Sequence, residues 1–188
     1  MDVSYTLSRL KGNWDLDYAN QLFYSSSYIE DGPGLYVEDH NRTGILTGDR
    51  THVGKIFATY VLPTNTNVGA YFRYQSGRPY EARGFDILYG TDYLYLEPAG
   101  SRRTPSWTNL DLSVGQSFRV GPGELNVAAS LFNVFNSQPA LTVQQDVCLV
   151  GPCTAIPVVG DPNRNPNFER ATLLAPARRV SLSATFSF

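Results

Sequence analysis

The chain has 188 residues, a formal net charge of −2 and a pI near 5.6, enough length for one domain with a sizeable core and no basic footprint for nucleic acid. Mean hydropathy is −0.23, and no apolar run approaches the roughly 18–20 residues of a membrane helix, which excludes a helical membrane protein. Aromatic residues make up 13% of the chain, with 12 tyrosines, a level that suits interfacial girdles or a ligand-contacting surface.

In chain order, about six segments alternate apolar and polar residues with the period of an extended strand. Val3 to Leu10 opposes Val3, Tyr5 and Leu7 to Ser4, Thr6 and Ser8, and leaves Arg9 on the apolar side, tolerable where it can snorkel to water. A long polar and aromatic stretch, Lys11 to Thr51, carries Gly32, Pro33, Gly34 and Gly44 as breakers. His52 to Leu62 alternates more weakly, since Phe57 and Val61 fall on its polar side. Pro63 to Asn67 reads as a short turn. Val68 to Gln75 then sets Val68, Ala70, Phe72 and Tyr74 against Gly69, Tyr71, Arg73 and Gln75.

After a second long connection, Ser76 to Ser106, the stretch Trp107 to Val120 places Leu110, Leu112, Val114, Phe118 and Val120 on one side. Only Gln116 interrupts that side. Gly121-Pro122-Gly123 predicts a tight hairpin into Glu124 to Phe135, and Asn136 to Ala177 is the third long connection. The last segment alternates without a break: Val180, Leu182, Ala184, Phe186 and Phe188 against Ser181, Ser183, Thr185 and Ser187. A tilted strand crossing a bilayer needs roughly 9–11 residues, and this one has about that many. A half-buried strand of a soluble sandwich would alternate in the same way, so the pattern alone leaves both readings open.

The spacing of the segments adds a constraint. Short turns at one end and connections of roughly 30–40 residues at the other are the wiring of outer-membrane barrels, whereas a compact soluble domain rarely has loops beyond about 12–15 residues. Lipid offers no hydrogen bonds, so each strand edge within it must be paired, and a closed barrel does this. Six strands fall below the roughly eight-strand minimum. The expected fold is therefore all-β: part of an antiparallel up-and-down transmembrane β-barrel, with three long external loops. The opening residues lack the charged-then-apolar order of a secretory leader, so a barrel reading requires one from elsewhere.

Five pieces resemble the C-terminal end of TonB-dependent outer-membrane receptors of the Oar-like, carboxypeptidase-regulatory-like group. They are SYTLSRLKGNW (Ser4 to Trp14), YQSGRPY (Tyr74 to Tyr80), YLEPAGSRRTPSWTNLDLSVGQSF (Tyr95 to Phe118), LFNVFN (Leu131 to Asn136) and the terminal strand ending in Phe188. The resemblance implies the last six strands of a 22-strand barrel, with the leader, TonB-contacting segment, plug domain and earlier strands outside these residues. It implies as partners outer-membrane lipid, the rest of the barrel and the plug, the TonB complex through the N-terminal part, and the outer-membrane assembly machinery, which reads a last strand carrying Phe186 and Phe188. The implied location is the bacterial outer membrane. The implied function is energised uptake of a large or scarce solute, with no cofactor. A truncated gene or fragment is the first explanation for the missing parts, and a split barrel the second.

Within that frame, Arg73, Asp111 and Arg119 are expected to line a wet lumen, by solvation or plug contact, or else by direct ligand contact. Tyr89, Tyr93 and Tyr95 are candidates for stacking on a ligand, or simply extend the barrel as paired strand; Tyr24, Tyr28 and Tyr36 carry the same pair of readings. Cys148 and Cys153, separated by four residues, suggest a loop-stapling disulfide in an oxidising exterior, since neither His40 nor His52 lies near them to complete a metal site. Glu38-Asp39-His40 reads as a solvated loop rather than a cation site, and Asp161 to Asn167 lacks the glycine and terminal glutamate of an EF-hand. Asn41-Arg42-Thr43 matches a glycosylation acceptor in form only. The nucleophile-elbow, zinc-protease, P-loop and dinucleotide motifs are all missing, so no catalytic residues, no metal and no enzymatic activity are expected. Two alternatives remain: an outer-membrane barrel for adhesion, export or surface organisation, and a soluble all-β binding module whose apolar faces pack on each other.

Overall fold

The computed structural model describes residues 1–12, 41, 43–85 and 93–188. Six strands form one antiparallel sheet: β1 (Asp2–Leu7), β2 (His52–Val61), β3 (Thr66–Gln75), β4 (Trp107–Val120), β5 (Gly123–Phe132) and β6 (Arg179–Ser187). Each strand pairs with its neighbours in sequence, so the sheet is an up-and-down meander. Its two outer edges, on β1 and β6, do not pair with each other. The sheet is open.

Register sorts the side chains, because residues directly opposite in an antiparallel pair share a face. Leu112 is opposite both Ala70 and Leu131, Val114 opposite both Val68 and Ala129, and Phe118 opposite Leu125, which is in turn opposite Phe186. Val3, Ile56, Phe72 and Leu110 continue the same face across the first four strands. The charged residues of the six strands are Asp2, Lys55, Arg73, Asp111, Arg119, Glu124 and Arg179, and all of them fall on the other face. Alternation in the sequence has kept every charge of the six strands off the apolar face. Leu110 to Val120 covers about 33 Å of strand, or about 25 Å of height at a barrel-like tilt, the thickness of an outer-membrane apolar band.

No second layer covers that apolar face among the described residues. Val3, Leu7, Val180 and Leu182 are each more than 60% exposed, and Val114 and Phe118 are 44% and 50% exposed. The buried hydrophobic side chains, Tyr80, Ala82, Leu94, Ala99, Val147, Cys148, Cys153 and Ala175, all lie in the long connections. A soluble module would invert this arrangement, with its core beneath the strands and its connections wet.

Two short turns join β2 to β3 and β4 to β5, both at one end of the sheet. The second is a two-residue turn in which Val120 faces Gly123 across Gly121 and Pro122. Gly121 has φ of 61°, the left-handed geometry that a primed hairpin turn needs at its first central position and that glycine adopts without strain. Residues 8–51, 76–106 and 133–178 connect strands at the opposite end.

Several boundaries differ from the sequence expectation. β1 ends at Leu7, so Arg9 lies beyond the strand and places no charge on the apolar face. β5 ends at Phe132, where Asn133 turns out of the ladder with φ of 51°. Phe57 and Val61 stand on the polar face as their positions required. Gln116 does lie on the apolar face, near the turns, where its amide donates to the Thr64 carbonyl at 3.0 Å and to the Ser117 carbonyl at 3.2 Å while its oxygen accepts from the Thr66 hydroxyl.

Candidate functional site

The described parts of the three long connections form one packed crown. Within the second, Pro79–Tyr80 pairs with Arg102–Arg103, and Arg83–Phe85 pairs with Tyr93–Tyr95. Within the third, Ala140–Val143 pairs with Ala171–Leu174. The second and third are joined by backbone bonds, with the Arg83 N–H donating to Gln145 O at 2.9 Å and the Val147 N–H to Arg83 O at 3.0 Å. The first joins the second through the Ile45 N–H, which donates to Ala99 O at 2.9 Å. These bonds satisfy backbone groups that irregular segments would otherwise bury unpaired.

Charged side chains lock the same junctions. Arg102 donates to Glu97 within the second connection and to Glu169 of the third, both at 2.6 Å, and its guanidinium lies 5.3 Å from the centre of the Phe168 ring. The Tyr80 hydroxyl donates to Glu169 at 3.0 Å, and burial together with that carboxylate pushes the phenol up to about 12. Glu81 is fully buried; it accepts from Arg83 at 2.7 Å and from the Gly100 N–H at 3.0 Å.

Asp49 is the corresponding anchor of the first connection, accepting from Arg103 at 2.6 Å, the Thr51 hydroxyl at 2.8 Å and the Leu10 N–H at 2.8 Å. Burial alone would raise its pKa, but these hydrogen bonds outweigh burial and hold it below its ordinary value of 3.8. Glu97 is likewise held below 4.5, its burial outweighed by bonds from Arg102 and the Ala82 N–H. A carboxyl depressed on folding stabilises fully above its unfolded pKa and loses that contribution as pH falls through its folded one. Asp146 has the opposite sign, raised by burial that Arg83 only partly offsets, so protonating it relieves rather than weakens the fold. The hydrogen bonds to Asp49 and Glu97 therefore weaken as these carboxyls protonate. Pepsin cleavage of the connections is expected to accelerate as pH falls below about 4; a rate set only by the enzyme's own pH profile on an unfolded substrate would contradict this.

Arg73, Asp111 and Arg119 share the polar face. Arg73 and Asp111 lie on adjacent strands near the crown, with Asn109 opposite Arg73 and Tyr71 opposite Asp111, while Arg119 is opposite Glu124 beside the turns. The Arg73 guanidinium lies 5.6 Å from the Trp107 ring centre and donates to Gln75 at 2.7 Å. Asp111 accepts from the Asn133 N–H at 2.8 Å, which fixes the exit of β5.

Tyr95 lies in the second connection with the Arg83 guanidinium 5.7 Å from its ring centre, and its carbonyl accepts from Asn41 at 3.0 Å. Tyr89 lies outside the described residues, as does the side chain of Tyr93. Outside them too are Tyr24, Tyr28, Tyr36, Glu38, Asp39, His40 and Arg42. Cys148 and Cys153 are disulfide-bonded, and with Ala82 and Val147 they make a buried apolar cluster, against which Leu96 and Phe168 pack. Phe186 and Phe188 stack with ring centres 6.1 Å apart at the end of β6. Among the described residues no group of three or more His, Cys, Asp or Glu could hold a metal ion, and no helix is long and apolar enough to cross a membrane.

The arginines at the foot of the crown, Arg50, Arg78, Arg102 and Arg103, were not singled out from the sequence. The signal for Arg78, Arg102 and Arg103 was present in YQSGRPY and in GSRRTPSW, which the fold brings to one place from segments about 25 residues apart; Arg50 lies in neither.

No protein-family model matches the chain, and no solved structure does. Among curated proteins, the TonB-dependent transporter Oar of Myxococcus xanthus is 30% identical over 153 residues, which is 78% of this chain and 14% of the transporter. The chain thus spans about a seventh of the relative that it matches. An all-β chain with an uncovered, charge-free sheet face is, over most of its length, similar to one stretch of a TonB-dependent transporter.

Proposed function

We propose that the chain is the C-terminal wall and part of the external mouth of a TonB-dependent outer-membrane receptor that admits a large or scarce solute. The observation that carries this is the sorting of charge: no charged residue lies on the exposed apolar face of the six strands. In lipid that face is satisfied, and the polar face lines a wet lumen containing Arg73, Asp111 and Arg119. The open edges of β1 and β6 are the seams to the remaining strands, since an unpaired edge cannot persist in hydrocarbon. The similarity to Oar supports the receptor class. The crown, with Tyr95 and the disulfide-bonded loop, faces the exterior, and the turns face the periplasm. The role is binding and passage, driven through TonB, and not catalysis.

Fluorophores placed singly by cysteine substitution at Leu112, Ser113, Val114 and Ser117 test the wall. With the receptor containing this segment in vesicles of brominated lipid, emission at 112 and 114 is expected to be quenched and emission at 113 and 117 to be spared; equal quenching at all four would reject it. For the receptor containing this segment, uptake that continued after collapse of the inner-membrane proton gradient would reject the energised step.

A further inference from the structure

The polar face of the sheet carries a trough of about 320 Å³, at the lower end of the range of roughly 300–1,000 Å³ for small-ligand sites. Two rows of side chains build it. In the first, Phe57 is opposite Tyr71 and Tyr71 opposite Asp111, and Phe132 at the end of β5 closes the row. In the second, Thr59, Gly69, Ser113 and Ser130 are each opposite the next on four successive strands. The first row is tall and mostly aromatic, and the second is a floor with nothing larger than threonine. These groups are open to a ligand. Phe57 is 46% exposed, Thr59 and Ser113 are exposed, and Tyr71, Asp111 and Ser130 are half-buried. Among the described residues no ring or guanidinium packs on Phe57 or Tyr71, and the hydroxyls of Thr59, Tyr71, Ser113 and Ser130 have no hydrogen-bond partner. Asp111 accepts from the Asn133 N–H through Oδ1 and keeps Oδ2 without a partner. Phe132 is different: the Arg179 guanidinium lies 4.5 Å from its ring centre, so it bounds the trough rather than offering a free face.

The combination selects one ligand chemistry. Rings bared to a wet lumen leave apolar area in water, which a ligand can cover. A wholly apolar ligand would do so, but it would strip the floor hydroxyls and Asp111 of water and return no hydrogen bonds, at a cost for each group. An anion would meet the Asp111 carboxylate and no cation lining the trough. A metal ion would find one carboxylate and no second charged ligand. A sugar ring has a C–H face for the aromatic rings and an edge of hydroxyls, each both donor and acceptor, for the floor and for the free carboxylate oxygen. We infer that this trough binds carbohydrate: one neutral sugar ring stacked on Phe57 and Tyr71, with its hydroxyls on Ser113, Ser130 and Asp111. The same reading accounts for Phe57, whose place on the polar side is the weak point in the alternation of β2.

The assignment rests on the polar face being the wet side of the wall, and it is tested separately. The receptor containing this segment, in detergent micelles, is titrated calorimetrically with maltose, cellobiose and N-acetylglucosamine, and with gluconate and cyclohexanol as anionic and apolar comparators. At least one of the sugars is expected to bind saturably. Phe57→Ala and Tyr71→Ala are each expected to weaken that binding by about three- to tenfold, and Ser113→Leu, which fills the floor, to abolish it. Thr185→Leu, on the same face beside the turns, should leave it unchanged. Resistance of the unboiled protein to unfolding in dodecyl sulfate shows whether each variant keeps its barrel, and Phe57→Leu keeps apolar bulk without the ring if the alanine variant does not fold. Absence of saturable binding by all three sugars, the result expected if another part of the receptor fills the trough, would overturn the inference. So would sugar binding indifferent to Phe57, Tyr71 and Ser113, or tighter binding of gluconate or cyclohexanol. Lipid quenching at 112 and 114 could still succeed in each of those cases.

Discussion

An arginine placed at Val114 is expected to destabilise the bilayer-folded protein by about 2–4 kcal/mol, and one at the adjacent Ser113 by less than about 1 kcal/mol. Val114 lies mid-way along β4, flanked by Val68 and Ala129 on the apolar face, and Ser113 is flanked by Gly69 and Ser130 on the polar one. One residue along the strand reverses the solvent. Urea titration of the receptor containing this segment, folded into phosphatidylcholine vesicles, should show a shift of about 30- to 1,000-fold in the folding equilibrium for Val114→Arg. In water the two positions would be nearly equivalent, because Val114 is already 44% exposed and substitutions at such surfaces usually change stability by under about 0.5 kcal/mol. Equal tolerance of arginine at both sites would therefore remove lipid from the apolar face.

What could be read from the sequence was whatever depends on period and local turn chemistry. β4 was delimited at both ends because its alternation, interrupted only at Gln116, runs into Gly121-Pro122, and the strand order followed from the two short turns. β1 was drawn three residues too long, since Ser8 still bonds Thr51 and keeps an extended look after the ladder has ended. The crown was not legible. Its small strand pairs, two to four residues each, are too short for a period to show, and what holds them is contact between residues far apart, such as Tyr80 with Glu169. Asp49 gives no sign in sequence of being the buried partner of Arg103, because that pairing is a product of two connections meeting.

Gly77→Ala is expected to disrupt the foot of the crown while leaving the wall in place. A Cβ at residue 77 would stand 1.6 Å from the Thr104 carbonyl oxygen and 3.1 Å from that of Pro105, and both obstacles are backbone, so no side chain can rotate aside. The segments meet this closely because the Thr104 N–H donates to Arg78 O at 2.9 Å, the Arg78 N–H donates to the Thr104 hydroxyl at 2.8 Å, and Arg103 donates to Gly77 O at 3.0 Å. Relieving the clash means separating the strands that carry those bonds, at a cost of about 3 kcal/mol, the upper end of ordinary overpacking. Gly54→Ala is the control, since a Cβ there meets nothing within 4 Å and should be nearly neutral. Hydrogen exchange reads the difference locally: protection at Thr104 and Arg78 should collapse in Gly77→Ala, while amides in the centre of β3 and β4 keep theirs. Undiminished protection at both residues would mean that the two ends of the second connection do not meet at the distance on which the foot of the crown depends.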